Sequence, residues 1–183
     1  MKYTFNERDY SSNDGMMTSV WGPAMWHVLH TISFNYPVKP SKEQKQYYYD
    51  YFKSLKNILP CKYCRDNYKK NLKESGFKKG IFKNRDTLSR WVFKLHESVN
   101  KNLDKNSGLS YKEVRERYEH FRSRCVSKPK SKPKKEDKKE KGCVEPLYGV
   151  KSKCVLNVIP KTNKQKSFSV DPKCKLKRGK KKK

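Results

Sequence analysis

Acidic side chains are scarce in this chain: 18 Asp and Glu stand against 46 Lys and Arg in 183 residues, a formal net charge of +28. An excess of that size suits contact with nucleic acid or another acidic surface. An apolar h-region is missing from the polar first fifteen residues, which argues against a secretory signal. No run qualifies as a membrane span either. Gly15 to Val38 is uncharged and long enough, but Gly22-Pro23, His27, His30, Asn35 and several hydroxyls would be costly in lipid. A buried amphipathic helix is expected there, and a cytoplasmic protein, where an unassisted disulfide tends to be reduced. The eight glycines never fall into a dinucleotide fingerprint or a P-loop, so a bound nucleotide would have to sit among helices. No stretch alternates convincingly as a strand, and there is no second CxxC.

The charge is unevenly placed. From Val126 onward 58 residues hold 21 Lys and Arg and 5 Asp and Glu, a net +16. "SKPKSKPKKEDKKEKG" and the closing "KLKRGKKKK" are low-complexity stretches that bury too little apolar surface to offset chain entropy. The expected organisation is an N-terminal extension over residues 1–15, one helical domain over 16–125 and a disordered Lys-rich tail over 126–183. Within that tail only "KCVLNVIP", Lys153 to Pro160, has the character of a transient strand or docking motif.

Five helices are expected. The first runs from about Thr18 to Asn35, with Met25, Trp26, Leu29, Ile32 and Ser33 on one face. A capping-box pattern at Ser41 and Gln44 opens the second, which carries Tyr47, Tyr48, Tyr51, Phe52 and Leu55 and stops before Pro60. The third starts with Pro60 in its first turn and ends at Gly76. Leu88, Trp91, Val92, Leu95, Val99 and Leu103 form the stripe of the fourth. Ser110 and Glu113 cap the fifth, which aligns Tyr111, Val114, Tyr118 and Phe121. Short loops between them imply an all-α bundle of antiparallel neighbours.

Chemistry concentrates in two places. "LPCKYCRDNYKK" sets Cys61 and Cys64 three apart at a helix start, where unpaired N–H groups and the helix dipole favour a thiolate. Thiol–disulfide exchange, half of a zinc site and a pair of buried thiols all remain open for such a motif. Zinc needs four ligands, and Cys125, Cys143, Cys154 and Cys174 are scattered. The second place is "LHESVNKNL", where His96 and Asn100 lie one turn apart on one helix face, as Trp26 and His30 do in "WGPAMWHVLH". Each of these residues alone is well explained as an aromatic core residue with a satisfied polar tip. Together they could line a pocket for a flat aromatic ligand.

Three motifs occur in the order found in the FAD-linked sulfhydryl oxidases of the Erv/ALR type: "WGPAMWHVLHTISFNYP", "PCKYCRDNY" and "HESVNKNLDK". The chain resembles that family over roughly Ser19 to Cys125, and its Lys/Asn/Tyr-rich composition is similar to the versions carried by large DNA viruses. The resemblance implies a four-helix bundle with a short fifth helix, holding FAD, and oxidation of a dithiol protein, for instance a thioredoxin-like one, with reduction of O2 to hydrogen peroxide. It implies Cys64 as the flavin-proximal thiol and Cys61 as the thiol that exchanges with the client. Gly22, Trp26, His30, Tyr36, His96, Val99, Asn100 and Lys105 would hold FAD, with no metal. A homodimer through the first two helices is implied as well, and host cytoplasm or a virion as the location if the chain is viral.

The chain departs from that pattern near its fifth helix. "NSGLSY" offers no cysteine to pair with Cys125, so Cys125 is expected as a free thiol. "VRERY" places Tyr118 where the family stacks a tryptophan on the adenine, a smaller face for the same contact. The tail lacks the CxC or CxxC of a shuttle arm, so its expected role is electrostatic contact with nucleic acid or an acidic surface.

Overall fold

A computed structural model describes residues 6–126, 142–155, 157–160, 162–163 and 171–174. The chain forms two compact units, one up to Leu109 and one from Ser110 on. In the first, a single turn, α1 (Glu7–Tyr10), precedes four long helices: α2 (Thr18–Asn35), α3 (Lys42–Ile58), α4 (Lys62–Glu74) and α5 (Arg85–Asn102). A 3-10 helix, Lys79–Lys83, links α4 to α5. α2 packs on α5, α5 on α4, and α4 on α3, so the first long helix is paired with the last.

Local signals place the ends of these helices. Ser41 accepts the Gln44 N–H while Gln44 reaches back to the Ser41 N–H, so the capping box of α3 is complete. Asn84 and Thr87 form the corresponding box of α5. Gly76, beyond the end of α4, has φ +68, the left-handed conformation a terminating glycine adopts without steric cost. Pro23 sits in the second turn of α2, where its ring denies the helix one N–H.

Phe52, Leu55, Leu88, Val92 and Leu95 interdigitate in the core with Tyr36, Phe82 and Trp91. Phe52 meets Trp91 edge-on, ring centroids 5.3 Å apart at 88°. Buried phenols are satisfied: the Tyr36 hydroxyl donates to the Phe82 carbonyl at 2.8 Å and that of Tyr68 to the Phe52 carbonyl at 3.0 Å. Two expected stripe members lie outside this core. Tyr47 is 69% exposed, and Leu103 is the C-cap of α5 and 56% exposed. The core instead takes Ile81 and Phe82 from the 3-10 helix, a segment too short to show helical periodicity.

The second unit holds α6 (Tyr111–Glu119), capped by Ser110 and Glu113 as expected. It also contains an antiparallel pair, β1 (Ser123–Val126) and β2 (Gly142–Pro146), where no strand was expected. The register sets Cys125 opposite Cys143, and the two form a disulfide. Cys125 is therefore not a free thiol. Its partner lies 18 residues later, across the Lys-rich segment, rather than before α6. The described residues of Lys153 to Pro160 form no strand, and most of the Lys-rich runs lie outside the described residues. Among the described residues no helix is long and apolar enough to cross a membrane.

Candidate functional site

The CxxC straddles the start of α4. Cys61 is the N-cap and not a first-turn residue. Its backbone is extended at φ −162 and ψ 125, and its Sγ accepts the Cys64 N–H at 3.2 Å. Pro60 is therefore outside the helix, one residue earlier than an N-cap. The start of α4 is therefore capped by Cys61 Sγ, the sulfur that the Cys64 N–H reaches. Cys64 behaves differently. Its side chain packs on the hydrophobic core, and its thiol is pushed up to about 12, first by burial and then by the hydrogen bond and charge of Cys61. Arg65 opposes this shift with its positive charge. The helix-start N–H thus goes to the sulfur of Cys61, while Cys64 keeps its proton.

On α2 and α5, Trp26, His30 and His96 form one cluster. Trp26 and His96 lie face to face, centroids 4.0 Å apart at 7°. His30 Nε2 and His96 Nδ1 are 3.0 Å apart, a hydrogen bond that requires one nitrogen to donate and the other to accept. Burial lowers His30 to about 3, helped by the charges of His96 and His27. Burial lowers His96 to about 4, against the pull of Glu97. Both rings are neutral at pH 7. Cys64, Trp26 and Met25 all pack on the same core as partly buried side chains, so the thiol pair and the aromatic cluster belong to one helical body.

The remaining expected residues are placed less uniformly. Gly22 lies on α2 one turn before Trp26, and no atom lies within 4 Å of where a Cβ would stand. Val99 and Asn100 are half-buried on α5, the Asn100 amide donating to Glu97 Oε1 at 3.1 Å. Lys105 has an exposed side chain, and its N–H donates to the Asn100 carbonyl at 2.8 Å, folding the loop back onto the helix end. Tyr36 is fully buried at the C-cap of α2, with its ring against Tyr48 and Phe82. Tyr118 belongs to the second unit, where it meets Phe121 edge-on, and burial raises its phenol to about 12. Among the described residues no group of three or more His, Cys, Asp or Glu could hold a metal ion.

One part of the site escaped the sequence reading. Asp14, Gly15 and Met16 lie against the backbone of Pro60–Lys62, with a β-bridge between Gly15 and Cys61. Arg65 donates to the Leu59 carbonyl at 2.8 Å and to that of Asn13 at 3.4 Å, binding both strands of this contact. The only signal available in the sequence was a single glycine in "NDGMM".

Residues 23–119 match the Erv1 / Alr family. The chain is 33% identical over 104 residues to a probable FAD-linked sulfhydryl oxidase of Acanthamoeba polyphaga mimivirus, covering 57% of this chain and 72% of that one. It is 29% identical over 98 residues to the mitochondrial FAD-linked sulfhydryl oxidase ERV1 of Saccharomyces cerevisiae, covering 54% of this chain and 50% of that relative. The match to the FAD-linked sulfhydryl oxidase ERV1 of Arabidopsis thaliana spans 42% of that protein. The chain thus covers half or less of the yeast and plant relatives. Among solved structures, the yeast Erv1 core superposes with a TM-score of 0.51 at 25% identity, over 64% of this chain and 96% of that one. The FAD binding domain of yeast Erv1 gives the same score at 26% identity. With more than half of its length matched, and with the four long helices and the helix-start CxxC that the motifs required, the chain belongs to the Erv1 / Alr family.

Proposed function

We propose that this protein is an FAD-linked sulfhydryl oxidase that makes disulfide bonds in a dithiol protein client. The observation that carries the reading is the placement of the CxxC: the Cys61 sulfur is held by a helix-start N–H, and Cys64 is half-buried against the core that also carries Trp26 of the Trp26–His96 stack. In the oxidised state a client thiolate attacks Cys61 Sγ of the Cys61–Cys64 disulfide and expels Cys64 as the leaving group. A second client thiol then displaces Cys61, leaving a client disulfide and a reduced pair. Two electrons and two protons have moved from client to enzyme.

The residues present fit FAD. Gly22 leaves room on α2, and the neutral imidazoles of His30 and His96 beside Trp26 offer a flat, uncharged wall with hydrogen-bonding edges. FAD would supply a two-electron acceptor next in line and hand the electrons to dioxygen, giving hydrogen peroxide. Trp26, His30, His96, Val99 and Asn100 would orient it, and Lys105 would serve its phosphate end. Tyr36 would act through the end of α2, which its hydroxyl bond to the Phe82 carbonyl anchors. The purified protein is expected to be yellow, with about one flavin per chain, and to consume oxygen with dithiothreitol. His96→Ala and Asn100→Ala should each weaken flavin retention by roughly tenfold, about 1.4 kcal/mol, with helical circular dichroism unchanged. Full flavin occupancy in both variants, or a colourless protein carrying stoichiometric zinc at Cys61 and Cys64, overturns the reading.

The wider setting follows from the same proposal. A homodimer has apolar surface available in Val20 and Val28 of α2 and Tyr47 of α3, all exposed. The net +16 from Val126 onward suits contact with nucleic acid in a cytoplasmic or virion setting. DNA binding by the full chain should fall linearly on a log–log plot against salt, as counterion release requires. A salt-independent affinity would remove the tail from that role.

A further inference from the structure

We infer that Gly15 is a positioning residue for the redox pair: its bare Cα lets Asp14–Met16 lie on the backbone either side of Cys61 and hold that sulfur at the start of α4. The inference rests on the thiol oxidase reading and concerns residues ahead of the 23–119 family match.

Cys61 is flanked by two backbone hydrogen bonds from this segment. Met16 N–H donates to the Pro60 carbonyl at 2.7 Å, and Lys62 N–H donates to the Asp14 carbonyl at 2.9 Å. Both peptide units around Cys61 are therefore tied to one strap. Cys61 N–H itself donates to the Leu59 carbonyl at 2.8 Å. These bonds keep residue 61 extended, the N-cap conformation from which Sγ turns back to accept the Cys64 N–H. Without them, Cys61 would be free to leave that conformation, and its sulfur would lose the Cys64 N–H.

Only glycine fits the strap at this point. A Cβ on Gly15 would stand 2.6 Å from the Pro60 oxygen, 2.7 Å from the Cys61 Cα and 2.9 Å from the Pro60 carbonyl carbon. All three are backbone atoms and cannot rotate aside. Gly15 also has φ +112, which side-chain-bearing L residues rarely adopt. Arg65 closes the arrangement through the Leu59 and Asn13 carbonyls. The strap does not bury the attacked residue, since Cys61 stays partly exposed.

The test uses two full-length variants, Gly15→Ala, which lifts the strap sterically, and Met16→Pro, which deletes the strap's N–H donor to the Pro60 carbonyl. Reduced protein is alkylated with iodoacetamide, and modification of Cys61 is followed by peptide mass spectrometry. Turnover with dithiothreitol is measured as kcat and KM, alongside flavin content and thermal melting. Each variant should slow Cys61 alkylation and lower kcat/KM by roughly tenfold, with flavin content unchanged, because Cys61 Sγ is then no longer held in the geometry that the exchange step needs. Alkylation and kcat/KM within about twofold of wild type in both variants would falsify the inference, as would loss of fold in both, which would make the strap purely structural. Should only Gly15→Ala unfold, Met16→Pro decides. Alkylation does not depend on flavin, so a protein that proves not to be an oxidase would fail the turnover arm alone.

Discussion

Cys64→Ser should abolish turnover, by at least about a thousandfold, or ~4 kcal/mol of barrier, while flavin content and the thermal melt stay near wild type. Serine replaces sulfur by a smaller atom at a half-buried site and leaves the Cys64 N–H to Cys61 Sγ bond, a main-chain donor, in place. What it removes is the resolving sulfur. Without Cys64 there is no disulfide for a client thiolate to open. The reverse direction supplies a positive signature: Cys61, presented with an oxidised client disulfide, should attack it and remain trapped as a mixed disulfide, visible on a non-reducing gel. Cys61→Ser should trap little, because Cys64 is half-buried against the core and burial, the largest cause of its raised pKa, remains. If Cys64→Ser kept a tenth of the activity, or if trapping occurred equally at Cys64, the assigned roles would be wrong.

The unequal pair also shows what a sequence can and cannot carry. The spacing of Cys61 and Cys64 marks a helix start, and the helix is there. Which cysteine is the cap depends on the chain before Pro60, because two hydrogen bonds from Asp14 and Met16 set the conformation of residue 61. Those bonds join segments more than forty residues apart in sequence and involve backbone atoms, so no side-chain pattern records them. The capping boxes at Ser41 and Ser110 are the opposite case. Donor and acceptor lie three residues apart, and both were legible. Trp26, His30 and His96 fall in between. Their faces on two helices followed from spacing, but the pairing of α2 with α5, which brings His30 against His96, is a tertiary fact.

The second unit was the least legible for a related reason. β1 and β2 are four and five residues long and separated by a Lys-rich run. Neither strand alternates cleanly, and their pairing joins segments that lie on either side of the Lys-rich run. The Cys125–Cys143 disulfide covalently ties that register.

Acidification should destabilise the helical bundle in a window set by the His30–His96 pair. An unfolded histidine titrates near 6.5, whereas these two are held down to about 3 and about 4 in the folded chain, chiefly by burial. Above the unfolded value both states are neutral, and the contribution of the pair to stability is fully present. Between about 6.5 and 4 the unfolded chain binds protons that the folded chain refuses, so stability falls as pH falls, until the folded pKa values are passed. Neighbouring groups sharpen this. Protonated His27 would disfavour charge on His30, and only Glu97 favours charge on His96. Protonating either ring removes a donor–acceptor option from the 3.0 Å bond, and protonating both leaves no acceptor at all. Two exposed carboxylates lie away from this pair and are held below their ordinary values, Asp66 by the hydrogen bond and charge of Lys69 and Glu113 by its hydrogen bonds with Ser110. The melting temperature of the full chain should therefore be level from pH 8 to 7 and drop between pH 6.5 and 4.5. In His30→Asn the fall over the same window should be less than half as large. A wild-type melt that stays level down to pH 5 would show that the two imidazoles accept protons in place, and that the neutral wall proposed for the flavin does not exist.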